Sequence, residues 1–158
     1  MSSQLIPLLE ELRKRNWTLG FAESCTGGLM SSTLTALAGV SDVFMGGVVS
    51  YSNSVKTDLL QVSSQTLVKE GAVSTATVLQ MAQGAQRALK CHCVVSVSGI
   101  AGPGGGSEDK PVGTVALAVA GPGFEYAVMT RFSGDRVSIQ QQSVNKGFEL
   151  LLQQLRQL

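Results

Sequence analysis

The chain has 158 residues, of which 44% are apolar and 15% charged, and its formal net charge is +1. That length suits one domain with a substantial core, and the composition excludes a disordered or fibrous chain. The near-neutral charge excludes the broad basic field with which nucleic-acid binders capture phosphates, and no run reaches the ~20 apolar residues of a membrane span. Leu5, Leu8, Leu9 and Leu12 recur at helical spacing with charges between them, which predicts an amphipathic helix. A secretory signal would begin with positive charge and continue as an uncharged apolar run, unlike this segment.

A strand follows at about Thr18 to Ala22, and Thr26-Gly-Gly opens a second helix that runs to Leu37 and ends at Gly39. Val43 to Tyr51 is a near-continuous apolar run broken by Gly46-Gly47, which reads as a buried strand with a close backbone approach. Lys56 starts a short helix that ends near Leu60. Ser74 caps a helix reaching Leu89, with Val78, Met81, Ala82, Ala85 and Leu89 on one face. Cys93 to Ser98 is a strand, and the glycine-rich stretch Gly99 to Gly113 follows it. Thr114 to Ala120 and Glu125 to Phe132 form a hairpin around Gly121-Pro-Gly. The last helix starts at about Asp135, with Val137, Gln141, Val144, Phe148, Leu151 and Leu155 along one stripe that only Gln141 interrupts.

Helices interleaved with buried strands, then a hairpin, imply an α/β fold: a three-layer α/β/α sandwich with helices on both faces of a mixed sheet. No repeat or linker divides the chain, so one domain is expected over residues 1–158. Cys25, Cys91 and Cys93 are an odd number, which points to reduced thiols and a cytoplasmic setting. Cys91 and Cys93 would share a face of a strand, but two thiolates rarely make a metal site, and no metal is expected.

In open α/β sheets, ligands bind beyond the carboxyl ends of strands. Three segments fit that position: Glu23 to Gly28, Tyr51 to Lys56, and Ser98 to Gly113. A serine on a sharp strand-to-helix turn presents its hydroxyl beside backbone amides that stabilise an oxyanion, although capping by Ser24 and Thr26 is the commoner use of such residues and this segment alone favours it. Lys56 is a general base for Ser24 if it reaches that hydroxyl as a neutral amine; otherwise it is a solvated lysine on a helix's first turn. The glycine loop lets the backbone approach a small anionic or polar ligand. It is not an ATPase phosphate loop, because Ser107 stands where the second glycine is required. Nor is it a dinucleotide fingerprint, because Pro111 and a strand follow it instead of a helix. Cys25 is the intrinsically better nucleophile beside Ser24, but the only histidine, His92, lies at the opposite, amino end of a strand. Asp135 is a plausible cap for the last helix. Arg136 at that helix start suits a phosphate by forked hydrogen bonds, or is simply exposed.

Six motifs in order, AESCTGG (22–28), GGVVSYSNSVK (46–56), GAVS (71–74), SGIAGPGGG (98–106), KPVGTV (110–115) and FSGDR (132–136), resemble the C-terminal domain of the competence/damage-inducible protein CinA. That family includes stand-alone nicotinamide-nucleotide amidases. The resemblance implies hydrolysis of nicotinamide mononucleotide to nicotinic acid mononucleotide and ammonia by a serine–lysine pair, returning a pyridine nucleotide for NAD synthesis. It places Ser24 as nucleophile and Lys56 as base. It places Tyr51 and Asn53 along the site and Arg136 near the phosphate. The backbone amides of Thr26, Gly27 and Gly28 are expected to hold the oxyanion, and Gly102, Gly104 and Gly105 of the glycine loop to border the substrate. It further implies a homodimer, no cofactor, and no pyrophosphatase activity, which in many CinA proteins belongs to a separate N-terminal domain. A non-catalytic nucleotide-binding module and a hydrolase of another small amide are the alternative readings.

Overall fold

A computed structural model describes residues 3–158. Residues 1 and 2, which the expected domain over 1–158 includes, lie outside them. The elements in chain order are α1 (Leu5–Lys14), β1 (Leu19–Glu23), α2 (Leu29–Thr35), β2 (Phe44–Val49), α3 (Asn53–Leu60), α4 (Ser64–Glu70), α5 (Thr75–Leu89), β3 (Cys93–Gly99), β4 (Thr114–Gly121), β5 (Phe124–Arg131) and α6 (Arg136–Arg156). The strands form one sheet in the order β2-β1-β3-β4-β5. β1 pairs parallel with β2 and β3, whereas β4 pairs antiparallel with β3 and β5. This is a three-layer α/β/α fold.

Side-chain alternation along the central strands builds two separate cores. Cys93, Val95 and Val97 of β3 and Val115, Leu117 and Val119 of β4 pack with α1, α2 and α6. Val94 of β3 and Ala116, Ala118 and Ala120 of β4 meet α5 and Leu60 of α3. The alanine row lets α5 lie close to the sheet. Among the described residues no helix is long and apolar enough to cross a membrane.

Several elements depart from the expectations. α2 begins at Leu29, not Thr26, because Gly27 and Gly28 have φ of 57° and 104°, a left-handed conformation that an α-helix cannot contain. Val137 of α6 is 69% exposed, and the buried stripe instead opens with Ile139 and Ser143 before joining Val144, Phe148, Leu151 and Leu155. Gln141 therefore lies outside the stripe, not as a gap within it. α4 was not expected, since it buries no residue completely and Val68 is 89% exposed. Cys91 precedes β3, so strand alternation does not govern it. It packs against the α5 core while Cys93 packs against the α6 core, and the two do not share a face.

Candidate active site

The chain leaves β1 for β2 by way of α2, then crosses from β2 over α3, α4 and α5 to β3 on the other side of β1. β1 is thus a topological switch point, and the carboxyl ends of β2, β1 and β3 open side by side. Their loops line a cleft of about 250 Å³ that includes Ser24, Tyr51, Asn53, Lys56, Ser98 and Arg136.

Ser24 follows β1 directly. Its amide donates to the Val97 carbonyl at 3.0 Å, which ties the turn to β3, and its own carbonyl accepts from Gly27 at 3.1 Å. Lys56 is the fourth residue of α3, a helix capped by Ser52, whose hydroxyl accepts from the Val55 amide. The helix aims the lysine back under the sheet edge, where the side chain is only 1% exposed. Nζ meets three oxygens: Ser24 Oγ at 3.1 Å, the Ser50 carbonyl at 2.8 Å and the Tyr51 carbonyl at 3.2 Å. Among the described residues no carboxylate lies within ion-pair distance of it. Burial pushes the Lys56 pKa down by disfavouring the ammonium form.

Nζ donates to all three oxygens, a number that suits the ammonium. A neutral amine can keep both carbonyls with its two N–H bonds and turn its lone pair to the Ser24 hydroxyl. Cys25 also reaches the cleft wall, but burial pushes its thiol up to about 11, so it stays protonated near neutrality. His92 stands at the amino end of β3, where its Nδ1 accepts from the Thr18 amide at 3.0 Å and its ring stacks on Trp17.

Arg136, the first residue of α6 after its Asp135 cap, joins the loops at the mouth. Nη1 donates to the Gly102 carbonyl at 2.7 Å and Nη2 to the Tyr51 hydroxyl at 3.3 Å. Gly102, Gly104 and Gly105 form the facing wall. Gly102 has φ of 83°, and a Cβ there would lie 2.5 Å from Val112 Cγ1, so no other residue fits without shifting the loop.

Of the residues expected at the site, the structure brings together Ser24, Lys56, Tyr51, Asn53, Gly102, Gly104, Gly105 and Arg136. Thr26, Gly27 and Gly28 do not line the cleft: the Thr26 hydroxyl donates to Glu23, the Gly27 amide donates to the Ser24 carbonyl, and Gly28 occupies the cap position of α2. Ser98 was missed. It is 2% exposed and borders the cleft, with no hydrogen bond from its hydroxyl to the described residues. Its place near the carboxyl end of a strand, two residues after the buried Ser96, is the signal that would have found it.

The sequence model for the CinA C-terminal domain matches residues 5–155. A CinA-like protein of Synechococcus sp. (strain RCC307) is 59% identical over 115 residues, which cover 73% of this chain and 28% of that protein. A CinA-like protein of Fervidobacterium nodosum is 51% identical over 142 residues, 90% of this chain and 35% of the relative. The chain thus spans about a third of the length of the curated relatives it matches. Among solved structures, a CinA superfamily protein from Klebsiella pneumoniae superposes with a TM-score of 0.94 at 33% identity, covering 99% of this chain and 98% of the other. The competence/damage-inducible protein CihA from Agrobacterium tumefaciens superposes with a TM-score of 0.92 at 40% identity, covering 96% and 93%.

Proposed function

The chain belongs to the CinA C-terminal domain family, and from that premise we propose that it is a serine amidohydrolase that converts nicotinamide mononucleotide and water to nicotinic acid mononucleotide and ammonia. The observation that carries this reading is the buried Ser24–Lys56 contact of 3.1 Å, with no carboxylate among the described residues in ion-pair distance of the amine. A lysine so placed serves a nucleophile as a base, not as a partner in an ion pair. The family resemblance supplies the substrate.

The steps follow from the contacts. The neutral Lys56 amine takes the Ser24 proton as Oγ bonds to the carboxamide carbon, and the carbonyl oxygen takes up the negative charge of the tetrahedral intermediate. The Lys56 ammonium then passes its proton to the departing nitrogen, which leaves as ammonia, and an acyl-serine ester remains. Water attacks the ester carbon and Lys56 takes its proton. The C–Oγ bond breaks, the proton returns to Ser24, and the carboxylic acid formed loses its remaining proton to solvent. Arg136 supplies the charge for the phosphate, exchanging its hold on the Gly102 carbonyl and the Tyr51 hydroxyl for forked bonds to phosphate oxygens. The same reading carries a homodimer, which a light-scattering mass of twice the chain's would support.

The test is ammonia release from nicotinamide mononucleotide by wild type and Ser24→Ala. Release by the wild type, reduced by about 10³-fold or more in the variant, is expected for a lost nucleophile. Tight binding of the mononucleotide without turnover would replace this reading with a binding module. Ammonia release from other amides only would keep the mechanism and change the substrate.

A further inference from the structure

Glu23 closes β1 and is fully buried, yet among the described residues no cation lies within ion-pair distance of it. Hydrogen bonds alone meet its charge. Oε1 accepts from Thr26 Oγ1 at 2.7 Å and from the Met30 amide at 2.8 Å. Oε2 accepts from the Ser31 amide at 3.1 Å and from Ser31 Oγ at 2.9 Å. Met30 and Ser31 are the second and third residues of α2, whose cap position holds Gly28 and so offers no side chain. The carboxylate therefore caps α2 from seven residues upstream, where the helix dipole favours negative charge.

That long reach has a geometric consequence. The carboxylate pins both ends of the turn that carries Ser24, since Glu23 lies just before it and Met30 and Ser31 just after. The main chain of the same residue reaches the other half of the pair. The Glu23 carbonyl accepts from the Ser50 amide at 2.8 Å, and the Ser50 carbonyl accepts from Lys56 Nζ at 2.8 Å. Position 28, at φ of 104°, excludes an ordinary capping side chain, so the tight turn at Ser24 depends on a cap supplied from outside.

We infer that Glu23 is a positioning residue for the Ser24–Lys56 pair, its buried carboxylate setting the turn on which the nucleophile sits. The inference rests on Ser24 being the nucleophile. It does not depend on which amide is hydrolysed.

Glu23→Gln is the discriminating variant, because glutamine keeps the length and volume. Each carboxylate oxygen receives one main-chain N–H, from Met30 or from Ser31, so the glutamine NH₂ faces a donor whichever way it turns. Full-length wild type, Glu23→Gln and Ser31→Ala are compared for kcat and KM on nicotinamide mononucleotide. The rate at which a fluorophosphonate labels Ser24, with loss of fluoride, and the near-UV circular dichroism are measured alongside. The expected result for folded Glu23→Gln is a fall of about 10²-fold in kcat and in labelling rate, with KM changed by less than about threefold. Ser31→Ala, which removes one of the four donors outside the cleft, should lose about threefold in both rates. Wild-type rates in folded Glu23→Gln would overturn the inference, since a purely structural role lowers stability and leaves Ser24 reactive. If Glu23→Gln does not fold, wild-type rates in Ser31→Ala overturn it and a loss in both rates supports it. A wild type that is labelled but releases no ammonia removes the proposed substrate, and the labelling rates still decide the role of Glu23. A wild type inert on both counts overturns the inference together with the nucleophile it depends on.

Discussion

Burial of the Lys56 amine beside the Ser50 and Tyr51 carbonyls sets opposing demands on its proton. The carbonyls favour the ammonium, the loss of water disfavours it, and the balance falls below the ordinary lysine value because burial is the larger cause. Turnover should therefore rise with pH through a single limb whose midpoint lies below ~10.4. A pH–rate profile without such a limb would remove Lys56 from the base role. Lys56→Arg keeps the positive charge but cannot surrender its proton, so it should lose about 10³-fold in kcat, as much as Lys56→Ala. Ammonia release from the purified variants checks this, and an active arginine variant would show that charge alone suffices. Ser24 and Lys56 were legible in the sequence because a glycine turn after a strand and a cation at a helix start are locally unusual. The cap formed by Glu23 was not, because its carboxylate reaches Met30 and Ser31 over a turn whose shape spacing does not give.

α6 illustrates the same limit for an element. Its length and its Asp135 start could be read from spacing, and the Asp135 carboxylate does accept from the Ser138 amide at 2.8 Å. The phase of its buried face at the first turn could not. Val137 continues the apolar stripe in sequence, but the helix enters from the cleft mouth, where Arg136 faces Gly102 and the first turn overhangs solvent. Further along, Phe148 is fully buried against Phe21, with ring centroids 5.9 Å apart. Phe148→Ala should cost about 3–5 kcal/mol. At this chain length that lowers the melting temperature by roughly 10 °C, readable by calorimetry. A shift under ~3 °C would show that α6 does not anchor its core. α4 went unread because it has no apolar stripe: Leu67 packs against the α5 core and Thr66 accepts from Gln80 of α5, contacts that leave no helical period in the sequence.

For the whole molecule, the depressed pKa of Lys56 couples folding to pH. Below its folded value the amine is protonated in both states, and the cost of burying the ammonium is fully present. Between the folded value and ~10.4 only the unfolded chain holds the proton, so this contribution makes stability rise with pH. Above ~10.4 both states are neutral and the cost is gone. Cys25 and Cys93 act in the opposite sense at high pH, because burial pushes their thiols up to about 11 and about 12. The unfolding free energy of wild type minus that of Lys56→Met isolates the lysine. That difference should climb with pH between the folded value and ~10.4, and a difference flat up to ~10.4 would show that the amine is not desolvated in solution.

Local physics was enough for much of this protein. Helical and strand periods, glycine turns and caps are short-range preferences, so most elements, the alternation of strand and helix, and the candidates Ser24 and Lys56 could be read along the chain. Tertiary structure alone decided which loops meet. Ser24 reaches a lysine 32 residues away, and Arg136 bonds to a tyrosine 85 residues away, because β1 lies between β2 and β3 with their carboxyl ends open together. Strand order, and with it the cleft, arises from burying two apolar faces of one sheet at once, a condition that no single segment of the sequence expresses.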